Sequence, residues 1–384
     1  MTPSSLLVRG GDVVTPGGVQ RSDVRIEDGT ITHVGCDLSA AGVSVLDARG
    51  MLVAPGFIDV HIHGAAGAMC ESGDSEQIET ISAALARFGT TGFLATIATL
   101  TPDDLRAAVR AVAVTVGHEP GARILGIHLE GPYLSSWRAG AQAGRSMRAP
   151  SVEELDALID LSGGLIRMVT VAPELEGALP FIRAARERGV VVAAGHTNAT
   201  AAEMELAVQA GVTHVTHLFN AMREWHHREP GIIGVALTSD ALSTELICDG
   251  HHVSPGAIAL ALRCKPPLQT VLVSDAVSAL GLAGGDYELF GTTCRVEGGA
   301  VRRSADGKLA GSCLSLDRAV ANLHCWAPEL SVADVVHRAS WAPARVVGLD
   351  DQYGTIEPGK VADVVVLDPT LQVVHTLRAG TVPS

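Results

Sequence analysis

The sequence predicts an α/β protein, a (β/α)8 TIM-like barrel carrying a small β-sandwich domain assembled from the two ends of the chain. Three observations carry this prediction. Between residues 55 and 344, eight short β-branched, apolar runs alternate with Ala- and Leu-rich stretches of helical character, the order that yields a parallel sheet with helices outside. Residues 1–54 and 345–384 switch to short strands punctuated by turn residues, with no helical period. Histidines and carboxylates gather at the carboxyl ends of the middle runs, where a barrel places its chemistry. A doubly wound open sheet is the rival topology, because a count of strands does not prove closure.

Taken in order, the N-terminal piece reads as strands at Leu6–Val8, Asp12–Val14, Asp23–Ile26, Thr30–Val34, Val43–Leu46 and Met51–Val53, separated by Pro16-Gly17-Gly18 and Asp28-Gly29. The C-terminal piece holds Ala362–Leu367 and Gln372–His375. Neither end is long enough to bury a core alone, so the two are expected to pair. The barrel strands are Gly56–His63, Gly92–Thr99, Arg123–Glu130, Arg167–Val171, Val190–His196, His214–Asn220, Leu242–Asp249 and Thr270–Asp275. Helices are expected at about 75–88, 103–116, 151–161, 176–188, 200–210, 255–263, 314–326 and 331–340, with Ser151 and Glu154 spaced as a capping box. Glycine-rich residues 281–313 interrupt the rhythm and read as a β excursion after the eighth strand.

Composition bounds the function. Of 384 residues, 47% are hydrophobic and 18% charged, enough for a large core, while aromatics are only 3%, so that core is built from Ala, Val, Leu and Ile. The net charge of −14 argues against nucleic acid and anionic lipid as partners. Seven scattered cysteines without a C-x-x-C pair suit reduced thiols. Neither a signal peptide nor an apolar run of membrane-spanning length is evident, so a cytoplasmic protein is expected.

The strand ends supply the chemistry. Strand one closes on His61-Ile62-His63, two imidazoles on one side of a strand. With fifteen histidines, an H-x-H arises by chance about half the time, so the pair needs partners. Partners stand at Glu130 on strand three, His196 on strand five, His217 on strand six, Asp249 to His252 on strand seven and Asp275 on strand eight. Imidazole plus carboxylate without thiolate suits a divalent ion that activates water. Asp275, alone at the end of the last strand, is the candidate to accept the water proton and deliver it to a leaving nitrogen.

The order of these residues resembles that of the amidohydrolase superfamily and, within it, the N-acetylglucosamine-6-phosphate deacetylase family. The resemblance rests on Pro55-Gly56-Phe57-Ile58-Asp59-Val60-His61-Ile62-His63-Gly64, His128-Leu129-Glu130-Gly131-Pro132, Gly195-His196-Thr197-Asn198-Ala199 and Thr216-His217-Leu218-Phe219-Asn220-Ala221-Met222. It continues through Arg228-Glu229-Pro230-Gly231, Asp249-Gly250-His251-His252-Val253, Ser274-Asp275-Ala276 and Leu309-Ala310-Gly311-Ser312. H-x-H marks the superfamily, whereas the second and fourth motifs are particular to the deacetylases. The resemblance implies that Glu130, His196 and His217 bind a primary metal, with zinc the ion of choice and one or two ions per subunit. It implies that His61 and His63 serve a second ion and that Asp275 is the general acid/base. Asn220, Ala221, Arg228 and His252 would hold a phosphorylated N-acetyl amino sugar, with Ala141, Gln142, Leu309, Ala310 and Gly311 also touching substrate, in a homodimer. At Gln142 the family usually has histidine, so the donor near the amide carbonyl is neutral here. N-acetylgalactosamine 6-phosphate or another N-acyl compound is the alternative substrate. A hydrolase of cyclic amides or a deaminase fits less well, because Glu130 stands where those relatives use lysine. A non-catalytic barrel scaffold is the alternative from another class.

Overall fold

The computed structural model describes residues 5–142 and 144–383. Eight parallel strands, Phe57–Ile62, Thr90–Ile97, Arg123–Glu130, Ile166–Val171, Val191–Ala194, His214–Val215, Ser243–Ile247 and Thr270–Val273, pair in chain order. The last meets the first: Asp275 N–H donates to the His61 carbonyl at 2.9 Å, and the buried Asp59 carboxylate accepts from the backbone of both His61 and Ser274. That seam makes the sheet a TIM-like barrel, with helices between successive strands. Strand residues such as Phe57, Phe93, Leu129, Val169 and Val271 are wholly or almost wholly buried. Near-continuous apolar runs are what strands covered on both faces require.

Helix starts follow local chemistry. Thr200 and Glu203 form a reciprocal capping box before Ala201–Ala210. Ser151 caps Val152–Ser162, but Glu154 does not return the bond. Its carboxylate instead takes the Arg148 guanidinium at 2.6 and 2.9 Å and the Tyr133 hydroxyl at 2.9 Å, a charge-assisted fork stronger than a backbone contact. Two short helices escape the sequence pattern. Gly231–Thr238 is buried on every side and so lacks an amphipathic period, and Trp341–Val346 follows Val332–Ala339 after a break at Ser340.

The expected strand His214–Asn220 is a correction. Pairing stops at Val215, because the chain turns through positive φ at His217, Phe219 and Ala221. Strands five and eight also stop short of His196 and Asp275, which adopt φ of 45° and 48°.

The chain ends form one seven-stranded sheet. Val373–Leu377, Val364–Leu367, Leu52–Pro55, Ser5–Thr15, Gly18–Glu27 and Thr30–Gly35 lie side by side, and Ser44–Asp47 also pairs with Ser5–Thr15. The sheet has its own apolar cluster, including Val13, Val24, Ile26, Val53 and Val364. The excursion after strand eight is a four-stranded antiparallel sheet, Gly285–Leu289, Thr292–Glu297, Ala300–Arg303 and Leu309–Ser312. Ser312 N–H donates to the Asp275 carbonyl at 2.8 Å and the Ser312 carbonyl accepts from Val277, tying the excursion to the end of strand eight. Among the described residues, no helix is long and apolar enough to cross a membrane.

The terminal sheet meets the barrel at Gly89, whose φ is +77° and where a Cβ would lie 2.9 Å from Val365, 3.1 Å from Phe57 and 3.1 Å from Val373. Gly89→Val therefore combines left-handed strain with overpacking, an expected cost of about 2–4 kcal/mol. Chemical denaturation would register it as a lower midpoint with an unchanged slope.

Candidate metal centre and active site

At the carboxyl ends of the barrel strands, two sets of three donor side chains lie side by side and buried: Glu130, His196 and His217 in one, and His61, His63 and Asp275 in the other. His196, His217 and Asp275 all sit at positive φ. Non-glycine residues held there are strained and persist where the surroundings over-determine them, a pattern concentrated at functional sites. Here the strain ends each strand abruptly and turns the side chain inward over the barrel mouth.

In the first set, Glu130 Oε1 is 3.0 Å from His196 Nε2 and 3.0 Å from His217 Nε2, and the two nitrogens are 3.1 Å apart. Ligands at about 2.0–2.1 Å in a tetrahedral zinc site are separated by about 3.3 Å, so this spacing suits a shared ion. In the second set, Asp275 Oδ1 is 3.6 Å from His61 Nε2 and 3.5 Å from His63 Nε2. Glu130 stands between the sets: Oε1 is also 3.4 Å from His61 Nε2, and Oε2 is 3.3 Å from His63 Nε2. One carboxylate thus faces both donor sets.

The outer ring nitrogens are committed elsewhere. His61 Nδ1 donates to Glu245 at 2.8 Å, His63 Nδ1 to Glu71 at 2.7 Å and His196 Nδ1 to the Arg138 carbonyl at 2.9 Å. Each such bond fixes the tautomer that leaves Nε2 as the free donor to a metal. Among the described residues His61 Nε2 is buried with no hydrogen-bond partner, an orphan that a cation would satisfy. His128, by contrast, has Nδ1 against Thr96 and Nε2 against Thr170, and burial pushes its pKa down to about 3, so it is a neutral core residue.

The buried carboxylates and imidazoles set one another's protonation. Burial opposes charge on Glu130, yet His196 and His61 beside it hold its carboxyl well below the usual range. Burial likewise opposes protonation of His61 and His63, but carboxylates, Glu245 foremost for His61 and Glu71 for His63, outweigh it. Asp275 is lowered against its own burial by His63 and His61. Anionic oxygens packed among buried imidazoles form the donor set of a divalent cation.

The centre forms the floor of a cavity of about 140 Å³ that is also lined by Gly140, Ala141, Gln142, Asn220, Ala221, His252, Phe290, Leu309 and Gly311. Most sequence-predicted site residues are therefore gathered here. Gln142 is held at both ends, its Oε1 accepting from Thr99 N–H at 2.7 Å and its Nε2 donating to Glu130. His252 donates from Nδ1 to Asp249 at 2.6 Å. Three residues lie outside the cavity wall, the first being His61, wholly buried among the metal donors. Ala310 is wholly buried in the apolar cluster of the excursion sheet, and Arg228 is exposed on the 226–229 loop beside His227. Sequence reasoning missed Glu245, Glu71 and Phe290. A lone carboxylate in the apolar run Leu242–Cys248 was a usable signal for Glu245, whereas nothing local marks Glu71.

Comparison with known proteins agrees with this geometry. The model of the amidohydrolase family matches residues 52–382. N-acetylgalactosamine-6-phosphate deacetylase of Escherichia coli O157:H7 is 38% identical over 96% of this chain and 96% of its own. N-acetylglucosamine-6-phosphate deacetylase of Bacillus subtilis (strain 168) is 36% identical over 98% and 97%. A solved structure of a mutant N-acetyl-D-glucosamine-6-phosphate deacetylase from Mycobacterium smegmatis, in complex with N-acetyl-D-glucosamine-6-phosphate, superposes with a TM-score of 0.91 at 34% identity, covering 100% of this chain and 99% of that one.

Glu245 touches both donor sets, accepting from His61 Nδ1 and, at 2.8 Å, from His217 N–H. Glu245→Gln is expected to weaken divalent-metal binding about 10–100-fold, read by competing a chelator against apoprotein reloaded with zinc.

Proposed function

This chain belongs to the amidohydrolase family, and on that premise we propose that it hydrolyses the N-acetyl amide of N-acetylglucosamine 6-phosphate to glucosamine 6-phosphate and acetate. The observation that carries the reading is the Glu130 carboxylate facing both buried donor sets, with Asp275 lining the same cavity. Identity of 36% over 98% of this chain to enzymes named for this substrate supports the substrate. A second reading, N-acetylgalactosamine 6-phosphate, is favoured by the 38% identity to the Escherichia coli enzyme named for it.

Glu130, His196 and His217 would hold the primary ion, and His61, His63 and Asp275 a second, with zinc the favoured ion. A divalent ion in that position supplies Lewis-acid polarisation of the amide carbonyl and lowers the pKa of water. Asp275 accepts a proton from the attacking water. The C–N bond then breaks as Asp275 returns that proton to the amide nitrogen, which leaves as the amine while the acyl carbon leaves as acetate. Gln142 orients Glu130 rather than contributing charge. Asn220, Ala221, Leu309 and Gly311 flank the sugar, and His252, steadied by Asp249, faces its phosphate. Ala310 supports the Leu309–Gly311 segment from below. Arg228, exposed on its own chain, completes a phosphate clamp across a homodimer interface. The same reading treats residues 1–54 with 345–384 as a small β-sandwich domain, residues 55–344 as the hydrolase barrel, and the protein as cytoplasmic.

Acetate release from the gluco and galacto epimers, measured on metal-loaded protein, tests the substrate. Hydrolysis of neither would contradict the reading. Asp275→Asn should lower kcat by about 10²–10⁴-fold. Arg228→Ala should raise KM about tenfold or more with kcat little changed, as expected for a lost charge-assisted phosphate contact.

A further inference from the structure

One side chain in the cavity wall has no part in the chemistry above. Phe290 sits at the tip of the first hairpin of the excursion sheet, between paired Leu289 and Thr292. The two-residue turn is Phe290-Gly291, with φ of +52° and +75°. A two-residue turn with both φ positive is the type I′ geometry, which favours Asn or Gly at its first position and penalises a bulky aromatic. The strain places a ring in the active site: the Phe290 ring is edge-on to His63 with centroids 5.3 Å apart.

The ring also lines a second cavity. Behind it lies a space of about 300 Å³ whose wall is apolar at Met69, Ala98 and Leu100 and polar at Glu71, Thr99, Asp104 and Arg145. Among the described residues, Phe290 is the one common to the walls of this space and of the active-site cavity. The second cavity lies over the ends of strands one and two. Of the residues assigned above to the sugar and its phosphate, Asn220, Ala221 and His252 follow strands six and seven, and Leu309 and Gly311 lie on the last strand of the excursion sheet. With the sugar end of the amide directed toward strands six and seven, the acyl end points toward His63 and Phe290.

We infer that Phe290 is the specificity-determining partition of the acyl pocket: its ring closes a space able to take a longer acyl chain and thereby restricts the enzyme to short N-acyl groups. This rests on the functional reading above. Discrimination in an apolar pocket runs at about tenfold or more per methylene excluded or admitted, so loss of the ring should be visible as a change in chain-length preference.

The test compares kcat/KM for N-acetyl, N-butyryl and N-hexanoyl hexosamine 6-phosphate in wild type, Phe290→Ala and Phe290→Asn. Phe290→Asn builds the Asn-Gly turn that the hairpin geometry favours, so its melting temperature should match or exceed that of wild type while the ring is gone. Wild type should favour acetyl over hexanoyl, and both variants should shift the hexanoyl-to-acetyl ratio upward by about tenfold or more. An unchanged ratio in a folded Phe290→Asn protein would overturn the inference, as would wild type that already cleaves the hexanoyl compound as well as the acetyl one. Failure of wild type to release acetate from any of these sugars would instead overturn the functional reading, and the inference with it.

Discussion

The Glu130 carboxylate is the constraint around which the mouth of the barrel is arranged. Its two oxygens lie within 3.4 Å of four imidazole nitrogens contributed by strands one, five and six. An ionised carboxylate in a dry cavity is costly unless opposite charge surrounds it. Three of those imidazoles are in turn fixed by Glu245, Glu71 and a backbone carbonyl, so the cluster presents a set of nitrogens and oxygens converging on shared points. A divalent cation shared among these nitrogens and oxygens would balance the carboxylate charge.

The backbone is bent to serve this arrangement. Ordinary strands would carry His196, His217 and Asp275 past the barrel rim, and positive φ at each turns it inward. The strain is absorbed by local ties. Ser312 fastens the Asp275 carbonyl, Glu245 accepts from His217 N–H, and the Asp59 carboxylate knits strand one to strand eight. The excursion sheet therefore acts on the site twice, steadying Asp275 from one side and laying Phe290 across the cavity from the other. The first feature concerns the end of strand eight and the second the end of strand one, where Phe290 meets His63.

Much of this was legible in the sequence because it rests on local patterns. The alternation of β-branched runs and helices, and the placement of His61, His63, Glu130, His196, His217 and Asp275 at run ends, need no knowledge of long-range packing. What escaped reading depends on tertiary contact. Gly231–Thr238 is helical yet apolar on every face, so no period betrays it. Strand six loses its last five expected residues because His217 turns the chain, and a run of apolar and polar residues cannot announce a positive φ. Glu71 and Glu245 find their histidines 8 and 184 positions away, and only the folded barrel brings them together. Arg228 matched a motif but stands outside the cavity of its own chain, which motif position alone does not reveal.

A Glu130 carboxylate shared as a metal ligand between the two donor sets leaves a direct signature. Crystals of protein purified with its native metal, examined by anomalous scattering at the absorption edge of the bound element, test it most directly. Anomalous peaks are expected on either side of the Glu130 carboxylate, one among His196 and His217 and one among His61, His63 and Asp275. Metal bound with Glu130 uncoordinated, or an active enzyme with no metal at either set, would contradict it.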